Sequence, residues 1–216
     1  MSIEDEKRAA AQAAATLVED GMRVGLGTGS TVRYLLPALA ERRLTLRCVA
    51  TSPATERLAE ELGMVIEPFE TLDALDIAID GADQVAPDGW AIKGGGGAHT
   101  REKVVAAASA RFVVIASSDK VVEAIGPPVP LEVLSFGLPA TLRLLARARV
   151  RPATPASPDG GVIADYLGAF DDPAALAARL TAIPGVVEHG LFPAAMVSDV
   201  LIARGTEVEH RHVIAT

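Results

Sequence analysis

Three short segments of this 216-residue chain concentrate residue types that move protons and hold anions. The first, VGLGTGSTVRYLL, sets Gly25, Gly27 and Gly29 among the hydroxyl residues Thr28, Ser30 and Thr31. The second, AIDGADQV, ends an apolar run with Asp80 and Asp83. The third, AIKGGGGAHTREKVV, follows Lys93 with Gly94, Gly95, Gly96 and Gly97 and then Glu102. Together they supply a base, a second acid, a fixed cation and a set of backbone donors. Those are the parts needed to abstract a proton beside a carbonyl and to stabilise the resulting oxyanion.

Each segment also has a plainer reading. The glycine loop reads G-x-G-x-G, with Ser30 where a dinucleotide fingerprint has its third glycine, and it lacks the lysine of a Walker A loop. What remains is a strand end, glycines that let a ligand approach the backbone, and a helix start whose free N–H groups favour an anion. A small phosphate ester suits this better than a dinucleotide. The alternative is a strand-to-helix turn with Ser30 as N-cap. Asp80 and Asp83 stand where a strand ends, the place where parallel α/β sheets bind ligands; the alternative is a solvated Asp-Gly turn. Four consecutive glycines cost backbone entropy, which points to a backbone brought close to a ligand. Glu102, in a first helical turn, would offset the helix dipole in any protein. Its coincidence with Lys93 and the glycines favours a base. Lys93 and the helix N-terminus are expected to keep it ionised at neutral pH.

Strands and helices must alternate to position these groups. The pattern predicts helices over 3–18, 30–41, 53–62 and 100–110. Strands are predicted in MRVGLG, LRCVATS, MVIEP, LDIAIDGAD, WAIKGGGG and RFVVIASS. That order argues for an α/β fold: a Rossmann-like, mostly parallel sheet with helices on both faces. After Pro127-Pro128 the pattern changes to β-α-β-β-α-β, in PLEVLS, 137–147, ARVRPA, GVIADYL, 172–180 and GVVEHGLF. This is the order of a smaller ferredoxin-like α+β unit. The expected division is a catalytic domain of 1–127 with 197–216, and a small domain of 128–196. The segments VSDVLIARG and EVEHRHVIAT would return as strands to the first sheet.

Composition narrows the function class. The net charge is −8, a poor footprint for nucleic acid. No apolar stretch approaches the ~20 residues of a membrane span. MSIEDEKRAAAQ lacks the apolar core of a signal peptide, so a cytoplasmic protein is expected. One cysteine excludes an intramolecular disulfide, and Cys48 reads as a buried strand residue. With four scattered histidines there is no zinc-type constellation.

GLGTGST, DGAD, IKGGGGA-x-x-REK, PLEV and IPGVVEHGLF, in this order, resemble the ribose-5-phosphate isomerase A family across nearly the whole chain. The resemblance implies an aldose–ketose isomerase without cofactor or metal. It would interconvert D-ribose 5-phosphate and D-ribulose 5-phosphate in the pentose phosphate pathway, as a homodimer or a homotetramer. Carried over by motif position, Glu102 would be the base between C1 and C2. Lys93 and the backbone of Gly94–Gly97 would stabilise the enediolate. Asp80 would assist ring opening, and Asp83 would hold hydroxyls or share that task. Thr28, Gly29, Ser30 and Thr31 would line the pocket, Lys120 would bind substrate, and Lys7 is a further phosphate candidate.

The chain departs from the family pattern in four places. Gln84 replaces a frequent glutamate, and Ser117-Ser118-Asp119-Lys120 alters the lysine's surroundings. The 151–161 segment is short. His99 replaces an apolar residue and is expected in an exposed loop, with a pocket-edge position as the alternative. A non-catalytic sugar-phosphate sensor is the rival reading, but such proteins usually carry a helix-turn-helix, for which no room is expected here. A sensor also needs neither a base nor an oxyanion site. A CoA-transferase-like enzyme is a third reading, disfavoured by the short chain and the intact glycine–lysine–glutamate motif.

Overall fold

The apolar pattern changes repeatedly between a period of two and one of 3.6 residues, and the chain follows it. A computed structural model describes residues 2–213. Helix α1 (Ile3–Ala15) begins at a capping box in which Ser2 and Asp5 bond reciprocally. In chain order there follow β1 (Arg23–Leu26), α2 (Val32–Glu41), β2 (Arg47–Ala50), α3 (Pro53–Glu61) and β3 (Ile77–Gly81). Next come β4 (Gln84–Val85), β5 (Ala91–Ile92), α4 (His99–Ala107) and β6 (Phe112–Ser117). The second half contains β7 (Val129–Val133), α5 (Leu138–Leu145), β8 (Ala148–Val150), β9 (Val162–Tyr166) and α6 (Pro173–Thr181). It closes with β10 (Val186–His189), β11 (Leu191–Phe192), β12 (Asp199–Arg204) and β13 (Glu207–His212).

The largest sheet has the order β13-β12-β6-β3-β1-β2. Its strands are parallel except β13, which pairs antiparallel with β12 at the edge. The chain passes from β1 outward to β2 and then returns to β3 on the other side of β1. Strand order therefore reverses between β1 and β3, and ligands of such sheets bind beyond the carboxyl ends of the strands at that reversal.

Period-two alternation divides the sheet's side chains between two cores. Val24, Leu26, Ile77, Ile79, Val113 and Ile115 pack under α1, α2 and α3. Ala78, Val114, Ala116, Val200 and Ile202 face the opposite side, with Val105 and Ala106 of α4. Helix α4 lies so close to β1 that a Cβ at Gly25 would overlap Val105 Cγ1. Burying each Leu or Ile contributes about 1.5–3 kcal/mol, so these two layers fix where the strand ends lie. Asp80 shares the parity of Ala78 and so falls on the α4 side, toward Glu102.

The second sheet, β10-β7-β9-β8, is antiparallel and with α5 and α6 makes the expected β-α-β-β-α-β unit. Three predicted elements differ. WAIKGGGG contributes only β5, in a third, antiparallel sheet β11-β5-β4 rather than the parallel one. GVVEHGLF is not one strand: it breaks at Gly190, leaving β10 in the second sheet and β11 in the third. A Cβ at Gly190 would overlap the Lys93 carbonyl oxygen, and Lys93 N–H donates to Gly190 O at 3.0 Å, so the close approach needs glycine. MVIEP supplies only an isolated bridge between Cys48 and Ile66. Cys48 is buried in β2 as expected, and burial pushes its thiol up to about 12. The four histidines are not all scattered, because the β12–β13 hairpin brings His210 and His212 to Asp199.

Candidate active site

The loop after β1 and the loop after β3 meet at the sheet's reversal point. Asp80 Oδ1 accepts from Thr28 N–H (2.9 Å) and from Gly81 N–H (2.7 Å). A Cβ at Gly27 would fall on the Asp80 carboxylate, so that glycine serves the aspartate as much as any ligand. The Thr28 hydroxyl is engaged by a neighbouring threonine rather than by the acids. It shares a hydrogen bond with Thr51 Oγ1 (2.8 Å), and Thr55 Oγ1 donates to Gly27 O (2.8 Å). Helix α2 has Thr31 rather than Ser30 at its N-cap, and no side chain among the described residues caps it. Arg33 N–H donates to Gly29 O (3.2 Å) and Tyr34 N–H to Thr31 O (3.0 Å), which leaves the amides of Ser30, Thr31 and Val32 as the donors available to an anion among the described residues.

Lys93 connects the second and third motifs. Its Nζ lies 2.8 Å from Asp80 Oδ2 and 3.0 Å from Glu102 Oε2, with both carboxylates and the ammonium buried. These are contacts at ion-pair distance; neither oxygen forms an aligned hydrogen bond among the described residues. The ammonium's aligned bond goes to Gly81 O at 2.6 Å. Burial opposes the charged lysine, but Asp80 and Glu102 outweigh it and raise its pKa. Burial also raises Asp80, against the pull of Lys93.

Glu102 behaves differently from the sequence expectation. Burial is the largest influence on it, the Asp80 charge adds to that, and Lys93 offsets only part; the carboxyl is pushed up to about 8. A helix N-terminus contributes about 0.3–1 kcal/mol to a nearby anion, whereas burying a charge costs several. One ammonium also serves two carboxylates here. Both reasons favour a protonated Glu102 at neutral pH.

Of the four glycines, two have positive φ, Gly94 at 105° and Gly97 at 75°. Gly95 N–H donates to Asp83 Oδ2 (2.7 Å) and Gly97 N–H to Gly94 O (3.0 Å). Within the run, this leaves Gly94 and Gly96 as the amides for an oxyanion. Below the run lies His99, which is fully buried and not in an exposed loop. Its place at the start of α4 carries it under Gly94, where a Cβ would meet His99 Nδ1 at 2.7 Å. Neither ring nitrogen has a hydrogen-bond partner among the described residues, and burial, aided by the Lys103 charge, lowers its pKa to about 4.

A cavity of ≈ 110 Å³ collects most of the predicted residues. Thr28, Gly29, Ser30, Thr31, Asp83, Lys93, Gly94, Gly95, Gly96, Glu102 and Lys120 all line it. The larger groove between α2 and α3, ≈ 490 Å³, shares Thr28, Gly29 and Ser30 but none of Asp80, Lys93 and Glu102. Three predicted residues lie outside the cavity wall. Asp80 is beneath it and reaches it through Lys93. Gly97 packs toward Ile163. Lys7 pairs with Glu4 at 2.7 Å on α1. Sequence reasoning missed the Gly81 carbonyl, Ala82 and Gly190. It also missed Phe192, whose ring has Lys93 Nζ 5.4 Å and Lys103 Nζ 5.0 Å from its centroid. The HGLF end of the last motif was the available signal for Gly190 and Phe192.

Known proteins resemble this chain in sequence and fold. Residues 47–207 match the family model described as Ribose 5-phosphate isomerase A (phosphoriboisomerase A). Ribose-5-phosphate isomerase A of Caulobacter sp. (strain K31) is 46% identical over 206 residues, covering 89% of this chain and 91% of that protein. The solved ribose 5-phosphate isomerase A of Methanocaldococcus jannaschii superposes with a TM-score of 0.92 at 34% identity, covering 98% of this chain and all of that one. A solved D-ribose-5-phosphate isomerase in complex with phospho-erythronic acid gives a TM-score of 0.92 at 32% identity, covering 98% and 100%. With its sequence and its whole fold matched in this way, the chain belongs to the ribose 5-phosphate isomerase A family.

Proposed function

We propose that the chain interconverts D-ribose 5-phosphate and D-ribulose 5-phosphate through an enediolate, in the non-oxidative pentose phosphate pathway. The observation that carries this reading is the buried Asp80–Lys93–Glu102 array, with Lys93 and Glu102 opening into a cavity lined by amides and hydroxyls. A sensor gains nothing from burying that array.

Glu102 removes the C2 proton of the open-chain aldose, and the electron pair moves to O1. Lys93, held as the ammonium, and the amides of Gly94 and Gly96 donate to the developing oxyanion. The O2 hydroxyl proton passes to O1, and Glu102 returns its proton to C1. No atom is gained or lost. A base with a pKa near the working pH accepts a proton with good driving force, and the raised Glu102 carboxyl meets that condition. Asp83, exposed at the rim, helps to open the sugar ring or holds its hydroxyls. Asp80 acts through Lys93 as a positioning residue. Ser30, Thr31, Lys120 and the first turn of α2 hold the phosphate. A phosphorylated sugar acid binds one relative, and that ligand class suits an anion cradle beside an oxyanion site.

We place the protein in the cytoplasm, on its acidic charge, and no helix among the described residues is long and apolar enough to cross a membrane. A homodimer is the proposed assembly, with the exposed apolar residues Leu134, Phe136, Leu144 and Leu167 as available surface. The catalytic and small domains are proposed to divide at 127/128 and 196/197.

The test uses metal-stripped protein with ribose 5-phosphate in deuterium oxide, followed by NMR. Ribulose 5-phosphate carrying solvent deuterium, formed by wild type and not by Glu102→Gln, supports the reading. Binding without turnover in the wild type would make the protein a sensor.

A further inference from the structure

A cluster of metal-ligand type stands at the other end of the main sheet, outside the catalytic cavity. His210 and His212 are two residues apart on β13 and so share one face. Asp199, the first residue of β12, pairs across the ladder with His212, and His210 pairs with Leu201, one step diagonal. Cross-strand and diagonal neighbours on one face are within side-chain reach. His210 Nε2 and His212 Nδ1 each lie 2.7 Å from the same oxygen, Asp199 Oδ1. The two imidazole centroids are 4.5 Å apart. The other carboxylate oxygen, Oδ2, accepts from Arg111 Nε at 2.6 Å.

We propose that Asp199, His210 and His212 form a binding site for a borderline divalent transition metal ion of the Zn²⁺ class. Two imidazole nitrogens and one carboxylate oxygen make a donor set for such ions and a poor one for Mg²⁺ or Ca²⁺, which take oxygen ligands. Three protein ligands with an open fourth position suit tetrahedral zinc, and the exposed His212 leaves water access. Tetrahedral donors at about 2.0–2.1 Å from zinc are about 3.3 Å apart; each imidazole nitrogen, at 2.7 Å from Oδ1, therefore needs to move out by well under an ångström, and all three donor atoms already lie within 4.8 Å of one another. Each imidazole contact to Oδ1 otherwise requires a proton on that nitrogen; one metal ion takes the place of both. Arg111 fixes the carboxylate from behind, as outer partners of metal ligands do, and its charge moderates the affinity.

Charged side chains on an edge strand also protect it from pairing with another chain. Glu207, Glu209 and Arg211 suffice for that on β13, and edge protection does not require two histidines to converge on one buried carboxylate. The cluster is far from the chemistry. Asp199 begins β12, while the cavity lies past the carboxyl ends of β1 and β3. Six residues of strand at about 3.3 Å each separate the two levels. The ion would therefore staple the β12–β13 hairpin and leave isomerisation alone.

The experiment titrates tag-free, metal-stripped protein with Zn²⁺ by calorimetry and, in parallel, with Co²⁺ by visible absorption. Saturable binding of one ion per chain is expected, with cobalt bands of nitrogen coordination and a rise in Tm with Zn²⁺. His212→Ala and His210→Ala should bind at least about tenfold more weakly, while turnover of ribose 5-phosphate is the same in all three proteins. His212 is exposed, so its removal is expected to leave folding intact. Equal Zn²⁺ affinity in wild type and His212→Ala overturns the proposal, as does no saturable binding up to about 1 mM, where the binding free energy is only about −4 kcal/mol.

Discussion

The side chain that Gly27 lacks is the space that the Asp80 carboxylate occupies. A Cβ there would overlap Asp80 Cγ and Oδ1, and the next amide, Thr28 N–H, donates to that same oxygen at 2.9 Å. The glycine loop thus positions an acid as well as an anion. Gly27→Ala should move Asp80 off Lys93 and lower kcat by about tenfold or more, since a 1 Å misplacement can cost about 100-fold. Steady-state kinetics check this. An increase in KM alone would return Gly27 to a purely substrate-binding role.

Lys93→Met removes the cation and leaves two buried carboxylates facing each other. Breaking a buried pair costs about 3–5 kcal/mol, and losing an oxyanion donor costs about 100-fold or more in kcat. Both a lower urea midpoint and a kcat loss exceeding the change in KM are expected. A stable variant with only a KM effect would recast Lys93 as a binding residue.

The raised Glu102 carboxyl sets an acid limb. The base must be ionised to act, so kcat/KM should climb as pH rises through about 8. Asp80→Asn removes a charge that pushes Glu102 up, and should move that limb to lower pH. Stability runs the other way. The folded protein holds the Glu102 proton more tightly than the unfolded chain, whose carboxyl has the ordinary 4.5, so this contribution is complete below pH 4.5 and is lost as pH rises through about 8. Urea midpoints from pH 6 to pH 9 should fall more steeply for wild type than for Glu102→Gln. A kcat/KM limb near 4.5 would contradict the burial argument.

His99 presents the opposite sign. Its pKa is lowered from 6.5 to about 4, so the unfolded chain binds the proton more tightly and stability is lost as pH falls from 6.5 toward 4. His99→Leu removes two buried nitrogens without partners and should flatten this loss while retaining turnover. Parallel acid-unfolding curves would show that His99 carries none of it. Gly94→Ala, whose Cβ would meet the His99 ring at 2.7 Å, should cost activity that a smaller residue at 99 partly restores.

The phosphate end gives a simpler expectation. Lys120→Ala should raise KM several-fold with kcat nearly unchanged, because Lys120 lines the cavity but pairs with Asp119 rather than with Asp80 or Glu102. Inorganic phosphate should compete with substrate at tens of millimolar, about the range for an anion site with Kd of 1 mM or weaker. No competition at that concentration would count against the α2 terminus as the cradle.

Local chemistry was legible in the sequence. Strand-then-helix periodicity, the glycines before α2 and α4, and the order DGAD, then KGGGG, then REK were enough to read a parallel sheet, an antiparallel second unit, and a base, a cation and an anion cradle. These follow from short-range rules: parity along a strand, free amides at a helix start, and the entropy that a glycine run costs. Tertiary structure decided the rest, because burial and shared partners depend on residues distant in sequence. The break at Gly190, 97 positions after Lys93, was hidden in a run that reads as one strand. Exposure of His99 could not be judged from its loop-like neighbours, since α4 and the glycine run fold over it. Whether Glu102 is ionised depends on Asp80 and Lys93 sharing one dry space, where desolvation outweighs a helix dipole. The convergence of His210 and His212 on Asp199 likewise required the hairpin register, which brings side chains together only once two strands have paired.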